Sequence, residues 1–285
     1  MTKGGEFSAG LRTLREAWRE GGARLVRLRV EDRISKERRR LRRTVAPTAL
    51  ELMLDSNWSL VRSAQEALLL ILTHEPDGSR VIADAIQQGQ RHWDRARSSG
   101  TGPHDHFGPV FDLERESALF LYAYCRLWRP SVIVETGVAR GMSTAMILHA
   151  LAENQNGVLI SFDIRSDVGD LVHPQTSERW NFVKLPPDPP SARQELADHL
   201  IGLGPIDVFL HDSDHSREQQ LFEYGLALRH LSPRGLLLSD DVEGTRVFGV
   251  GFPQERSILA LADTRKCLGI SWIATESRSD QNSTH

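Results

Sequence analysis

The chain has 285 residues, 40% of them apolar and 26% charged, with a formal net charge of −3 at pH 7. These values suit a globular protein with one large domain and an accessory region, and no apolar run approaches the roughly 20 residues that a membrane span needs. The only cysteines, Cys125 and Cys267, lie far apart without metal-type spacing, which excludes a disulfide scaffold and predicts a reducing, cytoplasmic setting.

The first 110 residues carry helical spacing and few strand-like runs. MTKGGEFSAGLRTLREAW lacks the apolar core of a secretory signal, and Leu11, Leu14 and Trp18 share a helical face before Gly21-Gly22 interrupts. Residues 1–50 hold 14 Lys/Arg against 6 Asp/Glu, so +8, which leaves −11 for the remainder. The densest run, SKERRRLRRT, could meet an anionic membrane, nucleic acid or an acidic partner. The interleaved Glu16, Glu20, Glu31 and Glu37 favour the solvated face of a helix instead. NWSLVRSAQEALLLILTHEPDG predicts a buried helix closed by a Pro-Asp-Gly turn, and SRVIADAIQQGQRHW predicts another. SSGTGPHDHFGP reads as a linker or lid.

Strands and helices then alternate. ERESALFLYAYCRLW predicts an amphipathic helix stopped by Pro130, SVIVET a strand, and residues 143–153 a helix. GVLISFD and NFVKL predict strands, SARQELADHLIGL a helix, IDVFLHD a strand, REQQLFEYGLALRHL a helix, and GLLLSDD and CLGISWIA two last strands. Apolar, unalternating strands between helices imply an α/β domain with a parallel sheet covered on both faces. The expected organisation is a helical region over 1–110, serving as lid, dimer contact or acceptor recognition. The α/β domain then occupies 111–275, and 276–285 form a polar tail.

In such sheets ligands bind beyond the carboxyl ends of the strands, near the switch in strand order, so the residues after each strand carry the chemistry. After the first comes ETGVARGMST. Gly137 and Gly141 allow close backbone approach to a ligand, Ser143-Thr144 offer a helix cap, and Glu135 is an acceptor at the crevice. The G-x-x-x-G spacing is not the dinucleotide fingerprint. Asp163 closes the second strand, 22 residues beyond Gly141, where an acid can accept from both hydroxyls of a ribose.

HDSDHS follows the fourth α/β strand and SDDVEGT the fifth. Asp212, Asp240 and Asp241 would then converge at the sheet's rim, and three close carboxylates repel unless a cation sits among them. Hard oxygen ligands with an open side suit Mg²⁺; helix capping, or pairing with Arg217, Arg234 or Arg246, is the plainer alternative. His215, three residues past Asp212, has the ordinary pKa of a general base at neutral pH, while His211 reads as structural.

These motifs together resemble the class I S-adenosylmethionine-dependent methyltransferases, a Rossmann-like fold. The nearest branch holds macrocin-type sugar O-methyltransferases and cephalosporin hydroxylase-like proteins, and the resemblance covers roughly residues 108–275. It implies S-adenosylmethionine and Mg²⁺ as cofactors, with Glu135, Gly137 and Gly141 along the methionine and ribose and Asp163 on the ribose hydroxyls. It further implies Asp212, Asp240 and Asp241 on the metal and His215 as the base for an acceptor hydroxyl. A homo-oligomer is expected. The chain departs from relatives at the proline-rich FVKLPPDPPSARQ, where Asp188 is the nearest polar candidate for the adenine, and at GDLVHPQTSERW, expected as an extra loop by the acceptor pocket. Alternatives are a hydroxylase-like or non-catalytic cofactor-binding protein of the same fold, a nicotinamide-dependent oxidoreductase, which the missing G-x-G-x-x-G disfavours, and a scaffold docking through the basic N-terminus.

Overall fold

In the computed structural model, residues 59–72, 78–98, 107 and 111–273 are described. They form β1 (Ser59–Val61), α1 (Ala64–Leu72), α2 (Gly78–Ser98), α3 (Arg115–Trp128), β2 (Val132–Thr136), α4 (Met142–Asn154), β3 (Val158–Asp163) and β4 (Trp180–Lys184). α5 (Pro189–Ile201), β5 (Ile206–His211), α6 (Arg217–His230), β6 (Leu231–Ser239), β7 (Arg256–Ala262) and β8 (Cys267–Ile273) follow. The basic segment 1–50, most of the linker and the polar tail lie outside the described residues.

One eight-stranded sheet runs in the order β1-β7-β8-β6-β5-β2-β3-β4. Its neighbours are parallel except around β8, which is antiparallel to both β6 and β7. The wholly parallel sheet expected from the sequence is therefore corrected to a mixed one. The cause is local: Asp263 N donates to Lys266 O at 2.9 Å, closing a tight hairpin that forces antiparallel pairing.

Two further expectations change. Within the run expected as one helix, SLV is a strand: Ser59–Val61 pair in parallel with Leu259–Leu261, and the helix starts only after Ser63, whose Oγ accepts from Glu66 N. A strand in the first 110 residues thus joins the α/β sheet. α3 is not amphipathic but buried from Ser117 through Cys125, because it is enclosed by the core on one side and by α2 and α4 on the others.

Alternate residues along each strand feed two cores. Ile133, Leu159, Val208, Leu210 and Leu238 pack against the side chains of α1 to α4. Val134, Ile160, Phe162, Phe209 and Leu237 pack against α5 and α6. The chain runs outward from β2 through β3 to β4, then returns to place β5 on the other side of β2. That reversal opens a crevice at the carboxyl ends of β2 and β5.

Candidate active site at the switch in strand order

The turn after β2 is built for close approach. Gly137 has φ +83°, its N–H donates to Phe162 O at 2.8 Å, and a Cβ there would fall 2.2 Å from Asp212 O. Only glycine fits where the β2 and β5 turns touch. Gly141, also at φ +83°, caps α4 at its N-terminus with backbone alone. Ser143 and Thr144, expected as caps, instead donate their hydroxyls to Glu135 at 2.5 and 2.8 Å.

Glu135 is fully buried and also accepts from Ser161 Oγ at 2.6 Å. Burial pushes its carboxyl above the usual range, while the three hydroxyls oppose that shift. Its carboxylate therefore sits beneath the glycine turn and ties β2, β3 and α4 together. Asp163 closes the turn from the β3 side. One of its oxygens accepts from Val138 N at 2.9 Å and the other from Arg165 N at 2.9 Å. Burial raises its pKa and these N–H groups lower it. Ala139 N reaches the first oxygen as well, at 3.5 Å. A carboxylate has about four acceptor positions, so about one remains for a ligand hydroxyl.

The segment GDLVHPQTSERW folds over this same turn. Gly169 N donates to Ala139 O and Leu171 N to Arg140 O, each at 2.9 Å, so the loop meets the glycine turn directly. Asp188 accepts from Ser191 N at 3.1 Å as the cap of α5.

The acidic positions do come together. Asp212 N donates to Thr136 O at 2.8 Å and Asp240 N to His211 O at 2.9 Å, which fixes both turns to the sheet's rim. Consecutive residues of a strand point to opposite faces. Asp241 avoids that alternation with a left-handed φ of 56°, so both it and Asp240 approach Asp212. His215 is buried, with Nε2 at 3.5 Å from Asp212 Oδ1 and 3.7 Å from Asp241 Oδ2. One donor atom each from Asp212, His215 and Asp240 lie within 4.8 Å of one another. Asp212 is held well above its ordinary pKa by desolvation and then by the Asp240 carboxylate.

A residue that sequence reasoning missed completes the cluster. Lys266, at the β7–β8 turn, sets its Nζ 2.5 Å from Asp240 Oδ2. Burial works against that charge, but Asp240, Asp241 and Asp212 together hold the ammonium above the ordinary lysine range. The turn had no signal in the sequence, because β7 was not anticipated and Lys266 reaches the rim only once the hairpin forms. His211, read as structural, is so: its Nδ1 lies 2.6 Å from buried Glu223 Oε2.

Residues 134–242 match a family model described as "Methyltransferase domain". No curated protein matches the chain. Among solved structures, the chain is similar to an O-methyltransferase from Bacillus cereus in complex with SAH, at 12% identity and TM-score 0.47, covering 74% of this chain and 96% of that one. It is also similar to the O-methyltransferase TomG from Streptomyces achromogenes, at 14% identity and TM-score 0.46, covering 78% and 100%. A methyltransferase from Geobacter sulfurreducens is similar at 16% identity and TM-score 0.46, covering 75% and 98%. The residues that match the methyltransferase domain model, 134–242, run from β2 to just past β6 and so carry both sides of the switch in strand order of this Rossmann-like sheet.

Proposed function

We propose that the protein transfers the methyl group of S-adenosylmethionine to a hydroxyl of a sugar or specialised small molecule, as in the macrocin-type branch. One juxtaposition carries the reading: the glycine turn capped by Asp163 and the Asp212–His215 turn touch at the strand-order switch. A nucleoside on the first turn and an acceptor at the second then share one crevice.

In this reading Asp163 orients the ribose and the 137–141 turn receives the methionine part. Bound there, S-adenosylmethionine would supply an activated methyl carbon to the acceptor oxygen, an O–C bond replacing the S–C bond and S-adenosylhomocysteine being the leaving product. His215 Nε2 takes the hydroxyl proton, and Asp212 and Asp241 stabilise the resulting imidazolium. The sulfonium is already activated, so the protein's task is positioning and proton removal.

Mg²⁺ on Asp212, Asp240 and Asp241 fits this donor set poorly. Asp240 Oδ2 is engaged by an ammonium, and a divalent ion bridging the three acids would sit against that charge. No step is routed through it. Cys125 and Cys267 are both buried, and among the described residues no helix is long and apolar enough to cross a membrane.

Calorimetry with S-adenosylmethionine, S-adenosylhomocysteine and NAD tests the cofactor: binding of NAD alone ends the proposal. On a hydroxyl acceptor found by screening, His215→Ala is expected to lower kcat by about 10²–10⁴-fold with S-adenosylmethionine binding retained. An unaltered rate and pH profile removes His215 as the base.

A further inference from the structure

We propose that Lys266 is the resident cation of the acidic cluster, occupying the electrostatic place of a divalent metal, so that the site works without one. The ammonium does not arrive there by chance of a long surface side chain. Backbone groups fix the residue on both sides. Lys266 N donates to Glu114 Oε2 at 3.1 Å and Arg265 N to the same oxygen at 2.6 Å, while Arg265 Nε also binds that carboxylate. On the other side Cys267 N donates to Glu243 Oε2 at 3.0 Å. Glu114, just ahead of α3, and Glu243, just past β6, are both buried and grip the β7–β8 turn as a clamp.

From that clamp the lysine stem runs inward, and the residue is 8% exposed. Its Nζ meets Asp240 Oδ2 at 2.5 Å, with Asp241 and Asp212 also acting on its charge. A cation bridging Asp212, His215 and Asp240 would have to share Asp240 with the ammonium or expel it. Expulsion would take a buried ammonium out of its ion pair with Asp240, which is costly. A metal would also engage His215, the group that the methyl-transfer reading needs free to take a proton. With Lys266 as the counter-charge, Asp240 Oδ2 is paired while Oδ1 stays buried without a hydrogen-bond partner among the described residues, and His215 keeps its place between Asp212 and Asp241.

The cation assignment stands on geometry alone; only its bearing on catalysis rests on the methyl-transfer reading. Its test therefore reads metal, not turnover. Mn²⁺ is titrated into the purified full chain, and free ion is followed by its paramagnetic resonance signal. The wild type is expected to leave Mn²⁺ free to about millimolar concentration. Lys266→Met is expected to bind one Mn²⁺ at least about tenfold more tightly, and adding Asp240→Asn is expected to abolish that site. Wild-type binding in the micromolar range that Asp240→Asn removes overturns the proposal, as does a folded Lys266→Met that binds no better than wild type. Should Lys266→Met not fold, the wild-type melting temperature with and without millimolar Mg²⁺ decides. No change stands with the proposal, and a rise that Asp240→Asn cancels overturns it. Loss of wild-type methyl transfer in EDTA, restored by Mg²⁺, also overturns it.

Discussion

Glu223 Oε2 lies 2.6 Å from His211 Nδ1, both side chains fully inside the protein, and the same oxygen accepts the Thr136 hydroxyl. Its other oxygen accepts from Ser213 Oγ and Gln219 Nε2, each at 2.7 Å. One carboxylate on α6 thereby joins the end of β2, the end of β5 and the turn that carries Asp212 and His215. Removing it strands four polar partners, His211 and Thr136 buried and Ser213 and Gln219 half-buried. Glu223→Ala is expected to lower unfolding stability by about 3–5 kcal/mol, read as a shift in the urea midpoint. A loss under about 1 kcal/mol would show the network to be dispensable.

Glu223 also has a pH signature. Burial opposes its charge, but His211 and the hydrogen bonds more than offset this, and its pKa lies below the usual glutamate value. A depressed carboxylate contributes stability above its unfolded pKa, and that contribution disappears as pH falls through the folded one. Stability is therefore expected to drop on acidification below about pH 4.5, the ordinary glutamate range. In Glu223→Gln this part of the drop should be absent.

His149 titrates in the opposite sense. Burial, then the His92 ring stacked 4.1 Å away, lowers its pKa to about 4, with Glu153 opposing. The folded form holds it neutral while the unfolded chain takes up a proton near pH 6.5. Its contribution is complete above about 6.5 and lost as pH falls from there toward 4. Urea midpoints measured across that window should fall for wild type and flatten for His149→Gln. Parallel curves would mean that another group is responsible.

Two glycines separate conformation from contact. Gly137 and Gly204 both have positive φ, 83° and 74°. A Cβ at Gly137 meets the Asp212 backbone at 2.2 Å, whereas at Gly204 nothing lies within 4 Å. Gly204→Ala should cost about 1–2 kcal/mol from the left-handed backbone alone. Gly137→Ala should cost about 3 kcal/mol or more, because backbone must move as well. Equal costs would mean that the β2 and β5 turns are not in contact.

Asp163 serves the turn and the ligand together. Asp163→Asn keeps a carbonyl acceptor for Val138 N or for Arg165 N but sets an amide against the other, and it removes an acceptor that a ribose hydroxyl would use. S-adenosylmethionine affinity by calorimetry is expected to weaken about 10–100-fold. An unchanged affinity in a folded variant removes Asp163 from the ribose.

The α/β order was legible in the sequence because strands such as VLISF and IDVFL are mostly buried on both faces and read as largely apolar runs, interrupted by Ser161 and Asp207 alone. Asp212, Asp240 and Asp241 could be placed together on the rule that strand ends share a rim. What stayed hidden depends on tertiary pairing. Ser59–Val61 is too short to carry a period, and RSILALA opens with a buried arginine whose guanidinium binds Gly235 O and Ser271 O. Neither resembles a strand until its neighbour is present. Lys266 follows from the second omission, since a lysine in DTRKCLG looks like any turn residue.

β1 is three residues long, yet it covers the outer hydrogen-bonding rim of β7 and brings α1 and α2 against α3 and α4. Cutting the chain ahead of residue 111 would strip that rim and bare the outer flank of two helices at once. Such a fragment would offer an unprotected template for other chains to join. Anyone wishing to study the transfer machinery in isolation should begin no later than Ser59.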